Sequence, residues 1–219
     1  MIAHDYMGHR NITSALRQSL SERSRPFSVL DLGCGDGSTT ANALHGLPVR
    51  KYVGVDGSDA AIEQARVTFA AADFEVILIT SDIRDYLARA DGKVFDVIVV
   101  GFMAHHLQES EKPAFVDGCF RLLASGGDLF LYDVFRRDNE DRDEYLEAYA
   151  DMIQTDWNGL SAKDKEGVIE HIREYDFPTT FEQMTGLALE AGFEVPRQAE
   201  YLDETRFHRL YRFKKSARL

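Results

Sequence analysis

The stretch that most restricts how this chain folds is Val29-Leu30-Asp31-Leu32-Gly33-Cys34-Gly35-Asp36-Gly37-Ser38. An apolar run enters three alternating glycines and leaves as the start of a helix. Glycine lets the backbone turn tightly at such a place and lets a ligand approach the main chain closely. A second apolar run, Tyr52-Val53-Gly54-Val55-Asp56, ends in a carboxylate placed to accept hydrogen bonds from both hydroxyls of an adenosine ribose. A dinucleotide fingerprint would carry its third glycine at position 38, but that residue is Ser38 and the glycine is Gly37. The spacing therefore speaks against a pyrophosphate site and against a nicotinamide dehydrogenase.

Three more apolar runs, Phe74 to Ile79, Phe95 to Val100 and Asp128 to Asp133, join those starting at Phe27 and Tyr52. They are continuous rather than alternating, which predicts strands covered on both faces. Helical patterns separate them. Ser58 is placed to cap a helix over Asp59 to Ala71, and Pro113 suits the first turn of one running to about Leu123, with Gly126-Gly127 as its stop. Strand and helix in this rhythm predict a parallel sheet with right-handed crossovers. Ile12, Leu16 and Leu20 mark an amphipathic helix before the first strand.

The rhythm stops after Asp133. Arg136 to Asp176 carries no strand pattern, and Tyr145, Tyr149, Met152 and Ile153 share one helical face. Ser161 to Asp164 reads as a capping box, and so does Thr180-Phe181-Glu182-Gln183, which leads a helix to Gly192. Two closing strands, near Phe193 to Ala199 and Phe207 to Phe213, are expected as antiparallel neighbours. The chain reads as a single α/β domain in four parts: a helical cap over 1–26, a cofactor-binding core over 27–134, a helical insertion over 135–177, and a helix with a strand pair over 178–219.

The charge balance, 25 basic against 37 acidic residues for a net of −12, argues against a general binder of nucleic acid. Arg206, Arg209, Arg212, Lys214 and Lys215 form a basic run, read either as a nucleic-acid patch or as the solvated face of an edge strand. Cys34 and Cys119 supply neither a disulfide framework nor metal-ligand spacing, and no metal is called for. Met1 to Tyr6 lacks the basic-then-apolar pattern of a secretory signal, and the longest apolar run, around Val97 to Val100, is far too short for a bilayer. The expectation is a soluble cytoplasmic protein, monomer or homodimer, without a membrane partner.

Taken in order, these segments resemble the motifs of class I S-adenosylmethionine-dependent methyltransferases. The glycine stretch is similar to the first motif. Val53-Gly54-Val55-Asp56-Gly57-Ser58 is similar to the second, Thr80-Ser81-Asp82-Ile83 to the third, and Phe95 to Leu107 to the fourth strand and its loop. Leu122 to Leu129 resembles the turn before strand five. The resemblance implies a Rossmann-like sheet of seven strands in the order 3-2-1-4-5-7-6, with strand 7 antiparallel, helices on both faces and a helical lid. It implies S-adenosylmethionine as cofactor and S-adenosylhomocysteine as product. The residues it points to are Asp31, Gly33, Cys34, Gly35, Asp56, Gly57, Ser58, Asp82, Ile83, Gly101 and Phe102.

The implied chemistry is an in-line displacement in which the protein chiefly positions the reactants and excludes water. A hydroxyl or amine acceptor also needs its proton removed. His105 and His106, just after strand four, are the candidates for that task, although a His-His-Leu in this family also occurs where histidine is only structural. Tyr132, Asp133 and Arg136, at the end of strand five, are placed to touch substrate, and Asp133 reads equally well as a cap. Tyr6 and Arg10 either fold over the cofactor site or pack on the sheet. Tyr149 and Trp157 either line an apolar acceptor pocket or form core. Cys34 reads as a backbone contact rather than a reactive thiol. The expected function is methyl transfer to a small-molecule acceptor. A tRNA- or protein-modifying methyltransferase and a non-catalytic cofactor-binding subunit are the alternatives. No Asn-Pro-Pro-Tyr or Asp-Pro-Pro-Tyr follows strand four, where Val-Gly-Phe-Met stands instead.

Overall fold

The computed structural model describes residues 5–90, 92 and 94–217; Met1 to His4, part of the segment read against a secretory signal, lie outside them. Strands β1 (Phe27–Leu32), β2 (Val49–Asp56), β3 (Glu75–Thr80), β4 (Phe95–Gly101), β5 (Leu123–Val134), β6 (Tyr201–Leu202) and β7 (His208–Lys214) build one sheet. Its order is β3-β2-β1-β4-β5-β7-β6, as the resemblance implied. Strands β1 to β5 run parallel, and β7 is antiparallel to both β5 and β6.

Side chains alternate between the two sheet faces and bury a layer of helices on each. On one face Val29, Val97, Val99 and Phe130 pack under α1 (His9–Ser21) and α2 (Ser38–Leu44), with Phe69 at the end of α3 (Asp59–Thr68). Ile12, Leu16 and Leu20 are the fully buried stripe of α1. On the other face Leu30, Leu32, Ile98 and Val100 pack under α4 (Ile83–Arg89), α5 (Lys112–Leu122) and α8 (Phe181–Ala191). A third cluster joins α6 (Arg142–Asp156) and α7 (Ala162–Tyr175) over Val134 and Phe207, and contains the expected face of Tyr145, Tyr149 and Ile153. The capping box at Thr180 and Gln183 forms with both reciprocal bonds, whereas Ser161 makes a one-way cap: its hydroxyl accepts from the Asp164 amide and donates to the Asp164 carboxylate.

Four expectations need correction. The strand expected at Phe193 to Ala199 reduces to one bridge between Glu194 and Lys214, and pairing resumes only at Tyr201. Pro196 explains the gap, because it has no amide hydrogen for a ladder. The helix expected to reach Ala71 ends at Thr68, where Phe69 turns inward to stack on Tyr52 at 4.2 Å. Gly126-Gly127 is not the helix stop; β5 begins at Leu123 and runs through the pair, with a register shift opposite Phe95 to Val97. Finally, β7 is not an edge strand, and part of the basic run is engaged, while Arg206 and Lys214 are exposed. Arg212 binds the buried Asp128 (3.0 Å) and Glu22 (2.8 Å), while Lys215 donates to the carbonyls of Phe120 and Leu123.

Candidate active site

The glycine loop is assembled by main-chain geometry. Gly33 and Cys34 both donate to the Val55 carbonyl (2.8 and 3.1 Å), which pins the end of β1 to β2. Gly33 has φ 73°, and a Cβ there would sit 2.8 Å from Met103. Gly35, at φ 56°, has open space where a side chain would project. Its amide donates to one Asp56 oxygen (2.9 Å), and the Ser58 amide donates to the other (2.9 Å). These two bonds aim the Asp56 carboxylate across the loop, beside Gly57, which is also uncrowded.

Asp31 lies beneath the loop and accepts from the Tyr52 hydroxyl (2.9 Å); burial pushes its carboxyl up to about 6. Burial likewise raises the Cys34 thiol, which keeps its proton and rests 3.7 Å from the Gly35 carbonyl. Asp82 caps α4 through the Arg84 amide (2.8 Å), and the Arg84 guanidinium holds its carboxyl down at about 2. Ile83 reaches within 3.6 Å of the position a Gly33 Cβ would take. A bare main chain at Gly35, an aimed carboxylate at Asp56 and the Asp82–Ile83 pair thus stand around one loop.

A cavity of about 200 Å³ lies between the loop after β4 and the α6–α7 pair. Phe102 forms one of its walls, packing on both the sheet cluster and the α6–α7 cluster. Its φ of 47° is left-handed, a strain of about 1–3 kcal/mol that the Tyr132 carbonyl helps hold by accepting from the Phe102 amide (2.9 Å). Gly101 is required just before it, since any side chain there would collide with the Tyr132 ring.

The chain then makes a short 3-10 turn, Ala104–His106. His105 is buried, with Nδ1 2.5 Å from Asp133 Oδ1 and its amide donating to Asp133 Oδ2 (3.1 Å). Burial opposes a charge on this ring, but the Asp133 carboxylate outweighs it and raises the His105 pKa. His106 is half exposed, and burial with the neighbouring His105 lowers it to about 4. Asp176, from the chain leaving α7, faces both rings at 3.8 Å (His105 Nε2) and 3.5 Å (His106 Nδ1). Its carboxyl is raised to about 6 by burial, and its Oδ1 is buried without a hydrogen-bond partner. The Phe177 amide donates to the His105 carbonyl (2.6 Å), and buried Lys112 bridges the carbonyls of Leu107 (2.7 Å) and Phe177 (2.6 Å). Among the described residues, His105, His106 and Asp176 are the set whose donor atoms lie within 4.8 Å of one another and could hold a metal.

The remaining candidates divide. Tyr149 and Trp157 line the cavity with Met7, His171 and Ile172. The Tyr149 hydroxyl meets His208 Nε2 at 2.9 Å, and His208 in turn is held by Asp203 (2.7 Å). Tyr6 stacks on Trp157 (4.9 Å, 8°) and accepts from the Gly159 amide. Arg10 is exposed, pairs with Asp5 (3.5 Å), and borders a separate groove with His9 and Thr39. Tyr132 is buried edge-on to Phe102 at 5.4 Å, near Asp31. The Arg136 guanidinium donates to the carbonyls of Pro178 and Glu140 (both 2.7 Å), a tie between two chain segments. Sequence reasoning missed Asp176 as a site residue. Its only local signal is position, in Tyr175-Asp176-Phe177-Pro178, where an insertion must return to the sheet.

Residues 29–127 match a family described as a methyltransferase domain. A carboxy-S-adenosyl-L-methionine synthase of Aliivibrio fischeri is 27% identical over 179 residues, covering 78% of this chain and 72% of that protein. An O-methyltransferase family protein from Burkholderia thailandensis superposes with a TM-score of 0.71 at 16% identity, over 95% of this chain and 56% of that one. Magnesium protoporphyrin IX methyltransferase from Synechocystis PCC 6803, solved with its bound methyl donor, gives 0.64 at 15% identity, over 95% and 80%. No helix among the described residues is long and apolar enough to cross a membrane. With the glycine loop, the aimed Asp56 and the sheet order already in place, residues 29–127 match a methyltransferase domain, and the chain as a whole is similar in fold to S-adenosylmethionine-dependent methyltransferases.

Proposed function

We propose that the chain moves the methyl group of S-adenosylmethionine to a small-molecule acceptor seated between Phe102 and the α6–α7 lid. The observation that carries this reading is the polar cluster of buried His105, half-exposed His106 and buried Asp176 opening into an otherwise largely apolar cavity of about 200 Å³. A space of that size suits a single ring or a short chain, being below the usual range of about 300–1,000 Å³ for ligand pockets. Bound S-adenosylmethionine supplies a methyl already activated by positive sulfur. The chain's residues do the rest. The Gly33–Gly35 main chain and Cys34, with Asp31 beneath, cradle the donor. Asp56, Gly57 and Ser58 face its ribose, and Asp82 and Ile83 its adenine. Gly101 and Phe102 stand between donor and acceptor. Trp157, Tyr149 and Tyr6 exclude water. The acceptor's polar group and its proton fall to the His105, His106 and Asp176 cluster. The net charge of −12 supports a small acceptor over a polyanion.

A second reading follows from the curated relatives, whose name describes synthesis of a carboxylated form of the donor itself. One experiment separates the two. The protein is incubated with S-adenosylmethionine and a panel of phenols, hydroxy acids, keto acids and amines, and the products are weighed by mass spectrometry. Release of S-adenosylhomocysteine with a methylated panel compound supports the proposal. A donor heavier by one carboxylate supports the second reading. Methyl label found only in tRNA or protein fractions overturns both.

A further inference from the structure

Resting on the acceptor-site reading, we propose that His105 Nε2, His106 Nδ1 and Asp176 Oδ1 bind a divalent transition-metal ion of the zinc class, one open position of which faces the acceptor cavity. The first ground is the orphaned carboxylate. Asp176 is almost wholly buried, yet its Oδ1 has no hydrogen-bond partner and points at two imidazoles. A buried unpaired carboxylate oxygen is costly, and such groups are normally paired or on a metal. The histidines do not satisfy it as donors, since 3.8 and 3.5 Å with this geometry form no hydrogen bond.

Those spacings have another meaning. Ligand atoms about 2.1 Å from one tetrahedral ion lie roughly 3.4 Å apart. All three atoms here fall within 4.8 Å of one another, so small rotations bring them to a common centre.

The second ground is the orientation of His105. Asp133 holds Nδ1 at 2.5 Å, which leaves Nε2 as the lone pair directed toward Asp176. A carboxylate behind a histidine whose far nitrogen meets a metal is the usual outer-shell arrangement, fixing the tautomer and strengthening the ligand. His106 Nδ1 rests 3.3 Å from the Tyr175 carbonyl, to which it donates in the ion-free arrangement. Ligation moves that proton to Nε2 and requires no change of fold. Two imidazoles and one carboxylate suit zinc, cobalt or iron(II) rather than calcium or magnesium, which prefer all-oxygen sets. An open metal position in the cavity favours an acceptor that binds through oxygen, such as a phenol or a hydroxy acid.

The test is a cobalt(II) titration of chelator-stripped, dialysed full-length protein. One equivalent bound, with the visible absorption of low-coordinate cobalt and a raised melting temperature, is the expected result. Asp176→Asn and His106→Gln should each weaken cobalt binding by at least about tenfold. His45→Gln, outside the cluster, should not. His106 is half exposed, so its variant keeps the test open should Asp176→Asn fail to fold. No stoichiometric cobalt in the wild type, or undiminished binding in both variants, overturns the proposal. S-adenosylhomocysteine affinity, measured by calorimetry on the same samples, separates this failure from failure of the methyltransferase reading: intact nucleoside binding without cobalt defeats the ion alone.

Discussion

Asp31 and Asp56 end neighbouring strands on either side of the glycine loop, and their surroundings give them different duties. Asp56 is half-buried and aimed by two backbone amides, and the role we propose for its remaining lone pairs is to accept from a ribose. Asp56→Ala removes a charged acceptor of two hydrogen bonds, and charged bonds contribute about 1.5–3 kcal/mol each. S-adenosylhomocysteine affinity should therefore fall by at least about tenfold in calorimetry, and an unchanged affinity would remove Asp56 from the site. Asp31 is buried, with a folded pKa of about 6 against an ordinary 3.8. The folded state thus holds this proton more tightly than the unfolded chain does. Ionising Asp31 costs stability, a cost that grows from about pH 4 to about pH 6 and persists above. Asp31→Asn should stabilise the protein by on the order of 2–3 kcal/mol near pH 7.5 and hardly at all near pH 4. Urea unfolding at both pH values measures the difference; a variant no more stable than wild type near pH 7.5 contradicts the assignment.

Helices and strands meet the site through a few buried ties, and Lys112 shows how much one can carry. It opens α5, is fully buried, and spends its ammonium on the carbonyls of Leu107 and Phe177, so it clamps the loop after β4 to the segment leaving α7. Lys112→Met keeps the apolar stem but strands two buried acceptors, each worth about 1–3 kcal/mol. A loss of about 2–4 kcal/mol in denaturant unfolding is expected, together with faster amide exchange at Phe177, whose amide bonds to His105. Exchange at Phe177 no faster than wild type would show that the clamp holds nothing.

The five parallel strands were legible because each is a continuous apolar run bounded by turn residues, and the glycine loop because its function is written in adjacent residues. The closing strand was misplaced because apolar content around Phe193 outweighed one proline whose missing amide decides the pairing. Asp176 was not legible at all. Its meaning depends on His105, a residue far away in the chain that is brought beside it by the Phe177 amide, the Lys112 clamp and the return of α7.

At the scale of the whole molecule, the sheet divides labour between its two halves. β1, β2 and β3 end around the glycine loop, the donor site proposed above, while β4 and β5 end beneath the cavity under the lid. That cavity is walled by four parts of the chain: Met7 from the N-terminal turn, Phe102 to His106 after β4, Val134 at the end of β5, and Tyr149 to Asp176 from the α6–α7 pair. The N-terminal turn and the lid touch through the Tyr6–Trp157 stack and the bond from the Gly159 amide to the Tyr6 hydroxyl. The cavity is partly open to solvent, so the stack is expected to hold its wall in place around an acceptor rather than to gate entry. A stacked aromatic pair is worth about 0.5–1.5 kcal/mol beyond its buried area. Tyr6→Ala should then raise the acceptor KM roughly three- to tenfold. S-adenosylhomocysteine affinity should stay within about twofold, because the donor loop is built from a different half of the sheet. Amide exchange at Gly159 should accelerate in the same variant. Loss of donor affinity as large as the loss in KM would mean that the two halves are not separable and that the N-terminal turn belongs to the donor site.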